Sequence, residues 1–431
     1  MPGSPVVGEF LSFDDVVVVP GLASVEPSSV DISGRLSAGR RLAVPVASAP
    51  MDTVTGWRLA ALLARAGAIG VIHRNMSVDE QVAEVRRVKN ESPSIWAEIP
   101  KAGPGEPLAS LEMRLEEAGA GAAVVVDGGV IRGVYLRRGV DAGYWAGKAE
   151  ALRVLYETVR PEPTLDDYGR LAVAAAVSPF DVGRAKALDE AGVDVLVVDV
   201  AHLHNREALH SLARLVREVS AEVVAGNLGT REGVLDTLSI AEGVAGLRVG
   251  ISSGSICLTG EVAGASVPTL QAVLNARSAL EELGLHGRVP IVADGGIRNP
   301  GDAAKALIAG ASAVMGGRIF AGTEEALAPK VSVGGRLYKP YRGMASRGAM
   351  AARYAADRYS KPSKAIEEGV EGLVPYRGSA LGVVAEMAAG LQAALGYAGA
   401  SSVREAWEKG RLARVTASGR AEIRPHDVIL G

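Results

Sequence analysis

The chain has 431 residues, of which 48% are hydrophobic, and a formal net charge of −3. This length and composition predict a large buried core, and the charge gives no case for a nucleic-acid partner. The single cysteine, Cys257, excludes an internal disulfide and a multi-cysteine zinc site. The first ten residues do not have the pattern of a signal peptide, and the apolar stretches stay short of the ~18 residues of a membrane span, so we expect a cytoplasmic protein with no membrane partner.

Eight short apolar runs recur along the chain, with Ala-rich segments of helical character between them. The runs lack polar alternation, as expected of strands buried on both faces. Alternating strands and helices imply parallel pairing, so eight units predict an α/β fold of the (β/α)8 TIM barrel type, with a doubly wound open sheet as the competing architecture. The predicted strands are 42–48, 68–73, 171–177, 193–200, 222–227, 246–251, 289–294 and 311–316.

Two segments break this alternation. Residues 92–163 have proline- and glycine-rich edges that indicate loop crossings, so we predict a small inserted α/β module there and a catalytic barrel formed by residues 1–91 and 164–431. Residues 334–377 are rich in Gly, Tyr and Arg and show no single periodicity. Long segments of this kind are often lids, so we predict a long active-site flap, followed by a final helix over 381–395.

Residues that break the apolar pattern stand at the ends of five of the predicted strands: Asp199, Asn227, the loop that holds Cys257, Asp294 and Gly317. Active sites of this barrel lie at the carboxyl ends of the strands. A lone thiol in such a loop is a candidate nucleophile, and the alternative is a buried cysteine that packs as a small hydrophobic residue.

The same loops could bind a nucleotide. Backbone N–H groups near Cys257, the Ser255 hydroxyl and the close backbone approach allowed by Gly296 and Gly317 could hold a phosphate. Asp294 is suited to accept hydrogen bonds from the vicinal hydroxyls of a ribose. No GxGxxG motif follows the first strand of a βαβ unit, so a dinucleotide, if one binds, is not held in the Rossmann manner. The residues therefore suggest covalent attack by Cys257 on a nucleotide ring.

The chain contains ordered, widely spaced motifs: FDDVVVVP (13–20), SAPMDTVT (48–55), HRNMS (73–77), GSICLT (254–259), ADGGIR (293–298), YRGMAS (341–346), DRY (357–359), EEGVEGLVPYRG (367–378) and RPHDV (424–428). These motifs resemble the IMP dehydrogenase and GMP reductase family over roughly residues 9–91 and 169–431. This resemblance implies a (β/α)8 barrel, a purine nucleoside monophosphate substrate, a nucleotide-attacking cysteine and a homotetramer.

The resemblance also implies catalytic roles. Cys257 resembles the nucleophile that adds to C2 of the purine, after which a hydride leaves to a nicotinamide. Thr259 resembles the threonine that positions the hydrolytic water. Arg358 and Tyr359 fall at the flap Arg-Tyr pair of the dehydrogenases, in which the arginine helps to activate water.

Further positions resemble binding residues of the family. Arg318 stands where a phosphate-binding serine is common, and its cation could still pair with phosphate. The implied phosphate contacts are Ser255, Gly296, Gly317, Arg318 and Tyr341, the ribose contact is Asp294, and the groups around the base are Met51, Met344 and Glu368. The implied cofactor-binding residues are Asp199, which contacts the nicotinamide ribose, and Asn227. The backbone carbonyls of Ser252, Gly254 and Cys257 match a potassium (K+) site of the dehydrogenases.

Three functions remain open. The Arg358-Tyr359 pair and the strings HRNMS, MDTVT (51–55) and RPHDV favour an IMP dehydrogenase that uses NAD. The strings DVAH (199–202) and AGN (225–227) are closer to a GMP reductase that uses NADPH. A divergent, non-catalytic nucleotide-binding relative is the third possibility. Residues 105–142 resemble one degenerate CBS motif, where the usual regulatory insert holds two.

Overall fold

The computed structural model describes residues 8–23, 25–351 and 367–423. Eight parallel strands form a closed barrel in which each strand pairs with the next and the last pairs with the first. The strands are β1 (Val46–Ser48), β2 (Ile69–Ile72), β3 (Ala174–Val177), β4 (Val195–Val198), β5 (Glu222–Leu228), β6 (Gly246–Val249), β7 (Ile291–Asp294) and β8 (Ala313–Gly316). The predicted TIM barrel is confirmed, and each predicted run coincides with one barrel strand, although β5 continues to Leu228, beyond its run.

A ring of helices surrounds the barrel, with one helix after each strand. Several begin where a side-chain oxygen caps a backbone N–H group, as Ser77, Asp181 and Asn205 do. The ring helices are α1 (Trp57–Arg65), α2 (Val78–Asn90), α3 (Val182–Glu190), α4 (Arg206–Glu218), α5 (Arg231–Ile240), α6 (Thr269–Glu282), α7 (Pro300–Ala309) and α8 (Ala380–Tyr397).

The barrel interior is closed at its amino-terminal end. A hairpin of strands Gly34–Ser37 and Arg40–Leu42 lies there, and its Leu36 and Leu42 are fully buried in the same apolar cluster as the inward-facing residues of the barrel strands. Small side chains such as Ala174 and Ala313 fill this interior. The hairpin therefore plugs the amino-terminal end of the barrel interior.

Residues 92–163 form their own small sheet and two helices. Strands Lys101–Ala102, Ala122–Asp127 and Val130–Leu136 make the sheet, with helices Leu108–Glu117 and Ala142–Thr158. The longer helix packs along α8 of the barrel. A buried ion-pair cluster, in which Glu98 lies between Arg65 and Lys148, ties this segment to α1.

The flap segment contains regular structure that the sequence pattern did not predict. Strands Val331–Val333, Arg336–Arg342 and Glu371–Pro375 form an antiparallel sheet, and Arg342 pairs in register with Glu371. The other strands are Val16–Val19 and Arg411–Arg414, which pair with each other. The remaining short helices are Thr259–Val262, Arg318–Ala321, Arg347–Ala351, Val403–Lys409 and Ala417–Ile423, with 3-10 turns at Phe13–Asp15, Pro27–Ser29 and Ile95–Ala97.

Helix α8 is long and apolar enough to cross a membrane by length and composition alone. It is the one such helix among the described residues, and most of it is buried. Its neighbours are α7, α1 and the helix Ala142–Thr158. The apolar surface of α8 is therefore accounted for by packing in the helix ring.

We expect the substitution Glu98→Ala to lower the free energy of unfolding by about 3–5 kcal/mol, because the buried Lys148 loses its carboxylate partner and Arg65 keeps only its pair with Glu91. Glu98 lies 2.6 Å from Arg65 Nη1 and 2.8 Å from Lys148 Nζ. Urea denaturation would measure the change. Glu150→Ala is the matched control, because Glu150 pairs with Arg153 on the exposed surface, and it should cost less than about 1 kcal/mol.

The same substitution should have a pH signature. Burial raises the pKa of Glu98, but Lys148 and Arg65 lower it by more, so the net pKa lies below the ordinary 4.5. A carboxyl group whose pKa is lowered in the folded state stabilises the fold above its unfolded pKa and stops doing so as the pH falls. The difference between wild type and Glu98→Ala should be full at pH 7 and shrink below about pH 4. A difference that grows on acidification would contradict this assignment.

Candidate active site

Cys257 lies at the carboxyl-terminal end of the barrel, in the loop between β6 and the helix Thr259–Val262. Its side chain is partly exposed and lines an open cleft of about 930 Å³. Residues from the ends of further barrel strands line the same cleft, namely Met51, Asp199, Asn227, Asp294 and Gly317. The thiol is therefore accessible, and it is not the inward-packed hydrophobic residue of the alternative interpretation.

A chain of polar side chains leads away from the sulfur. Cys257 Sγ lies 3.3 Å from Thr259 Oγ1, and this hydroxyl donates to Glu368 Oε2 at 3.0 Å. The Glu368 side chain is almost fully buried. A hydroxyl between a thiol and a carboxylate can pass a proton from one side to the other, because it both donates and accepts hydrogen bonds.

The backbone of the Cys257 loop is paired with the flap. Leu258 N donates to Glu368 O at 2.8 Å, and Val370 N donates to Ile256 O at 3.0 Å. These two hydrogen bonds flank the bridge between Cys257 and Gly369. The flap thus brings the Glu368 side chain to Thr259 through backbone hydrogen bonds on both sides of the sulfur.

A buried charge cluster joins the ends of four barrel strands beneath the cleft. Arg248 Nη1 donates to Asp199 Oδ1 at 2.9 Å, and its Nε donates to Asp294 Oδ2 at 2.9 Å. Arg74 Nε lies 3.6 Å from Asp199 Oδ2. Burial opposes the Arg248 charge, but Asp294 and Asp199 outweigh burial and keep the pKa of Arg248 above its ordinary value. The guanidinium thereby fixes both carboxylates relative to each other.

Sequence reasoning missed Arg248 and Arg74. Arg248 lies inside an apolar run whose pattern indicates a strand and nothing more. The available signal was a single cation in a buried strand, since a buried arginine needs acidic partners. Two aspartates at the ends of other barrel strands supply them.

The two residues predicted for the cofactor side are engaged within the protein. Asp199 lines the cleft, but its side chain is only 2% exposed and faces the two arginines. Asn227 donates from Nδ2 to Gly250 O and to Asp294 Oδ2, both at 2.9 Å. A ribose at this position would meet groups already oriented by the charge cluster.

A second cavity of about 960 Å³ adjoins the first. The five residues predicted to contact phosphate all line it, namely Ser255, Gly296, Gly317, Arg318 and Tyr341. No acidic side chain within the described ranges forms an ion pair with Arg318, so its charge is available to an anion. Burial raises the pKa of Tyr341 to about 12, so the phenol is a protonated donor at neutral pH.

Close packing at Gly317 accounts for the need for glycine there. An added Cβ would lie 2.6 Å from Met51 Sδ and 2.8 Å from Tyr341 Oη. Met344, predicted beside the base, lines the same cleft as Cys257, and its sulfur lies 3.4 Å from Asp52 N. The residues predicted to surround a purine are therefore brought together around the thiol.

The predicted potassium ligands lie in one tight loop. Ser252 adopts a left-handed conformation with φ of 58°, and Gly254 O accepts a hydrogen bond from Cys257 N at 3.1 Å. Within the described ranges no three or more His, Cys, Asp or Glu side chains are grouped to hold a metal ion. A site of backbone carbonyls at Ser252, Gly254 and Cys257 is of another kind and stays a prediction. Arg358 and Tyr359 lie outside the described residues.

Comparison with known proteins supports the same family. A model of the "IMP dehydrogenase / GMP reductase domain" matches residues 10–426. The chain is 41% identical to an inosine-5'-monophosphate dehydrogenase of Korarchaeum cryptofilum, over 97% of this chain and 96% of that protein. It is 36% identical to the enzyme of the same name from Thermoplasma acidophilum, over 98% of this chain and 96% of the relative.

A solved structure is similar over the whole fold. It is a cysteine-to-alanine variant of GMP reductase from Trypanosoma brucei in complex with guanosine 5'-monophosphate, 31% identical, with a TM-score of 0.76. The match covers 98% of this chain and 99% of that one. The family model and the relatives span nearly the full sequence, so the chain belongs to the IMP dehydrogenase and GMP reductase family, as its motifs predicted.

Proposed function

We propose that this protein is an IMP dehydrogenase, an NAD-dependent oxidoreductase that converts IMP, NAD+ and water to XMP, NADH and a proton in guanine nucleotide synthesis. The observation that carries the proposal is the accessible thiol of Cys257, 3.3 Å from Thr259 Oγ1 in the barrel-mouth cleft. Near full-length similarity to proteins named inosine-5'-monophosphate dehydrogenase supports this choice within the family.

The two adjoining cavities suit the parts of a nucleoside monophosphate. The phosphate would lie in the second cavity, where Arg318 offers a cation and Tyr341 a neutral donor. Asp294 would accept the ribose hydroxyls, because one of its oxygens is already held by Arg248 and Asn227. The purine would then lie in the first cavity, which the Cys257 thiol lines together with Met51 and Met344.

The first chemical step forms a carbon–sulfur bond. The Cys257 thiolate adds to C2 of the purine, and the C2 hydrogen departs with its electron pair as hydride, leaving a thioimidate on the protein. The nicotinamide supplies the acceptor for that hydride when it is bound. The cleft suits such a ring and its ribose, because the apolar residues Val200, Ala201 and Ile251 line it together with the polar residues Asp199 and Asn227.

The second step hydrolyses the thioimidate. Water adds to C2, its proton is accepted through the Thr259 hydroxyl by the Glu368 carboxylate, and the C2–sulfur bond breaks to restore the thiolate. We propose that Arg358 and Tyr359 assist the same step, a role that rests on their motif alone. Potassium at the carbonyls of Ser252, Gly254 and Cys257 would hold the loop.

GMP reductase is the second candidate. The DVAH and AGN strings favour it, and the similar solved structure is of a protein with that name. In that reaction the same sulfur adds to C2 of GMP, ammonia leaves, and hydride from NADPH completes IMP. A non-catalytic relative would keep the nucleotide site without turnover.

We also propose a cytoplasmic homotetramer, with residues 92–163 as an inserted module separate from the barrel at 1–91 and 164–431. The module's own three-stranded sheet supports this division.

A side-by-side assay tests the main proposal. We expect NADH absorbance at 340 nm to grow with IMP and NAD+, and no NADPH loss with GMP. Cys257→Ala should lose turnover by more than about 10³-fold and still bind IMP, because only the nucleophile is removed. Consumption of NADPH with GMP, without any NADH formation from IMP and NAD+, would establish the reductase. Full activity of Cys257→Ala would overturn the mechanism.

The two adjacent glutamates separate the two chemical steps. Glu368→Gln should lower steady-state turnover by about 10²-fold, because a general base is lost, while the first-turnover NADH burst stays near wild type. Glu367→Gln is the matched control, since Glu367 is exposed. Stopped-flow absorbance measures both phases. An equal loss of burst and steady-state rates would remove Glu368 from the hydrolytic step.

A further inference from the structure

The flap is attached to the barrel mouth by an ion pair that the mechanism does not use. Arg342, at the end of the strand Arg336–Arg342, donates from Nη2 to Asp52 Oδ2 at 2.7 Å and from Nε to Asp52 Oδ1 at 3.0 Å. The Asp52 side chain is 5% exposed. Such a two-pronged contact fixes orientation as well as distance.

Asp52 is itself anchored to the next barrel loop. Asn75 Nδ2 donates to Asp52 Oδ2 at 2.7 Å, and Asn75 N donates to His73 Nδ1 at 3.1 Å. Burial lowers the pKa of His73 to about 4, so its ring is neutral and Nδ1 can accept this hydrogen bond. The carboxylate is therefore a fixed point of the barrel, to which the flap strand is attached.

A short hydrogen-bonded ladder leads from Arg342 to the nucleophile. Gly343 N donates to Val370 O at 3.0 Å, and Glu368 N donates to Ala345 O at 3.1 Å. The segment Glu368–Val370 in turn pairs with the Cys257 loop, as described above. The residues that follow Arg342 are thus two hydrogen-bonded steps from the sulfur.

We propose that Asp52 and Arg342 are positioning residues, whose ion pair seats the flap on the barrel and thereby sets the alignment of Glu368 and Thr259 with Cys257. They touch neither the thiol nor Thr259, and they act through the ladder. The kinetic part of this inference rests on the proposed function, and the structural part does not.

The single cysteine gives a readout that needs no activity. Because Cys257 is the one thiol of the chain, its alkylation by iodoacetamide, followed by intact mass, reports on this loop alone. We expect Asp52→Asn and Arg342→Gln to alkylate at least about threefold faster than wild type, because the loop loses its fixed support. The matched control is Arg377→Gln, which removes an exposed pair with Glu386 just beyond the other end of the sheet and should leave the rate unchanged.

Kinetics with IMP and NAD+ provide the second readout. Both variants should lower steady-state turnover by about 10–100-fold, with an NADH burst within about threefold of wild type. The double variant should turn over no more slowly than either single variant, because both substitutions remove the same interaction. Arg342→Lys keeps the charge without the two-pronged geometry and should fall between, so it serves if a single variant fails to fold.

Two results would overturn the proposal. One is an alkylation rate in the variants equal to that of wild type. The other is a double variant whose fold loss of turnover is the product of the two single losses. If wild type consumes neither IMP nor GMP, the proposed function fails, while the alkylation comparison still decides whether the ion pair holds the Cys257 loop.

Discussion

The backbone pairing between the Cys257 loop and the flap segment Glu368–Val370 is the interaction on which the site depends. The barrel fixes where the loop begins, at the end of β6, and the backbone hydrogen bonds of Ile256 and Leu258 to the flap hold the loop on both sides of Cys257. Without this pairing the thiol would lie in a glycine- and serine-rich loop with many accessible conformations. Glu368 is brought to Thr259 by the same hydrogen bonds, so nucleophile and proton acceptor are aligned together.

Beneath this pairing, buried charges hold the strand ends in fixed relation. Arg248 lies between Asp199 and Asp294. These two aspartates stand at the ends of β4 and β7, which are not neighbours in the barrel. Removing any one of the three would leave an uncompensated buried charge, which is far more costly than losing an exposed ion pair. The nucleotide side and the cofactor side of the cleft thus share one rigid polar base.

Much of the barrel and many of the site residues could be predicted from the sequence. The eight strands are buried on both faces and appear as apolar runs, and strand ends such as Asp199 and Asp294 stand out as polar interruptions. The phosphate-side residues could be predicted because glycines and hydroxyls at the carboxyl ends of neighbouring strands present the backbone N–H groups and donors that bind an anion. Family motifs then linked Glu368 and Tyr341, far along the chain, to Cys257.

Contacts between distant segments could not be predicted in the same way. Asp52 and Arg342 are 290 positions apart, and neither residue carries a periodic signal. The flap strands Arg336–Arg342 and Glu371–Pro375 show no continuous apolar run, because they are partly exposed and are stabilised by each other. The role of Arg248 could not be predicted, because the pattern of a strand does not indicate which acidic side chains its one cation will contact.

The most direct test is the intact mass of the protein after acid quenching during turnover with IMP and NAD+. We expect one purine nucleotide adduct per chain, located on Cys257 by peptide mapping and absent from Cys257→Ser. Turnover without any adduct, or an adduct on another residue, would contradict covalent catalysis by this thiol.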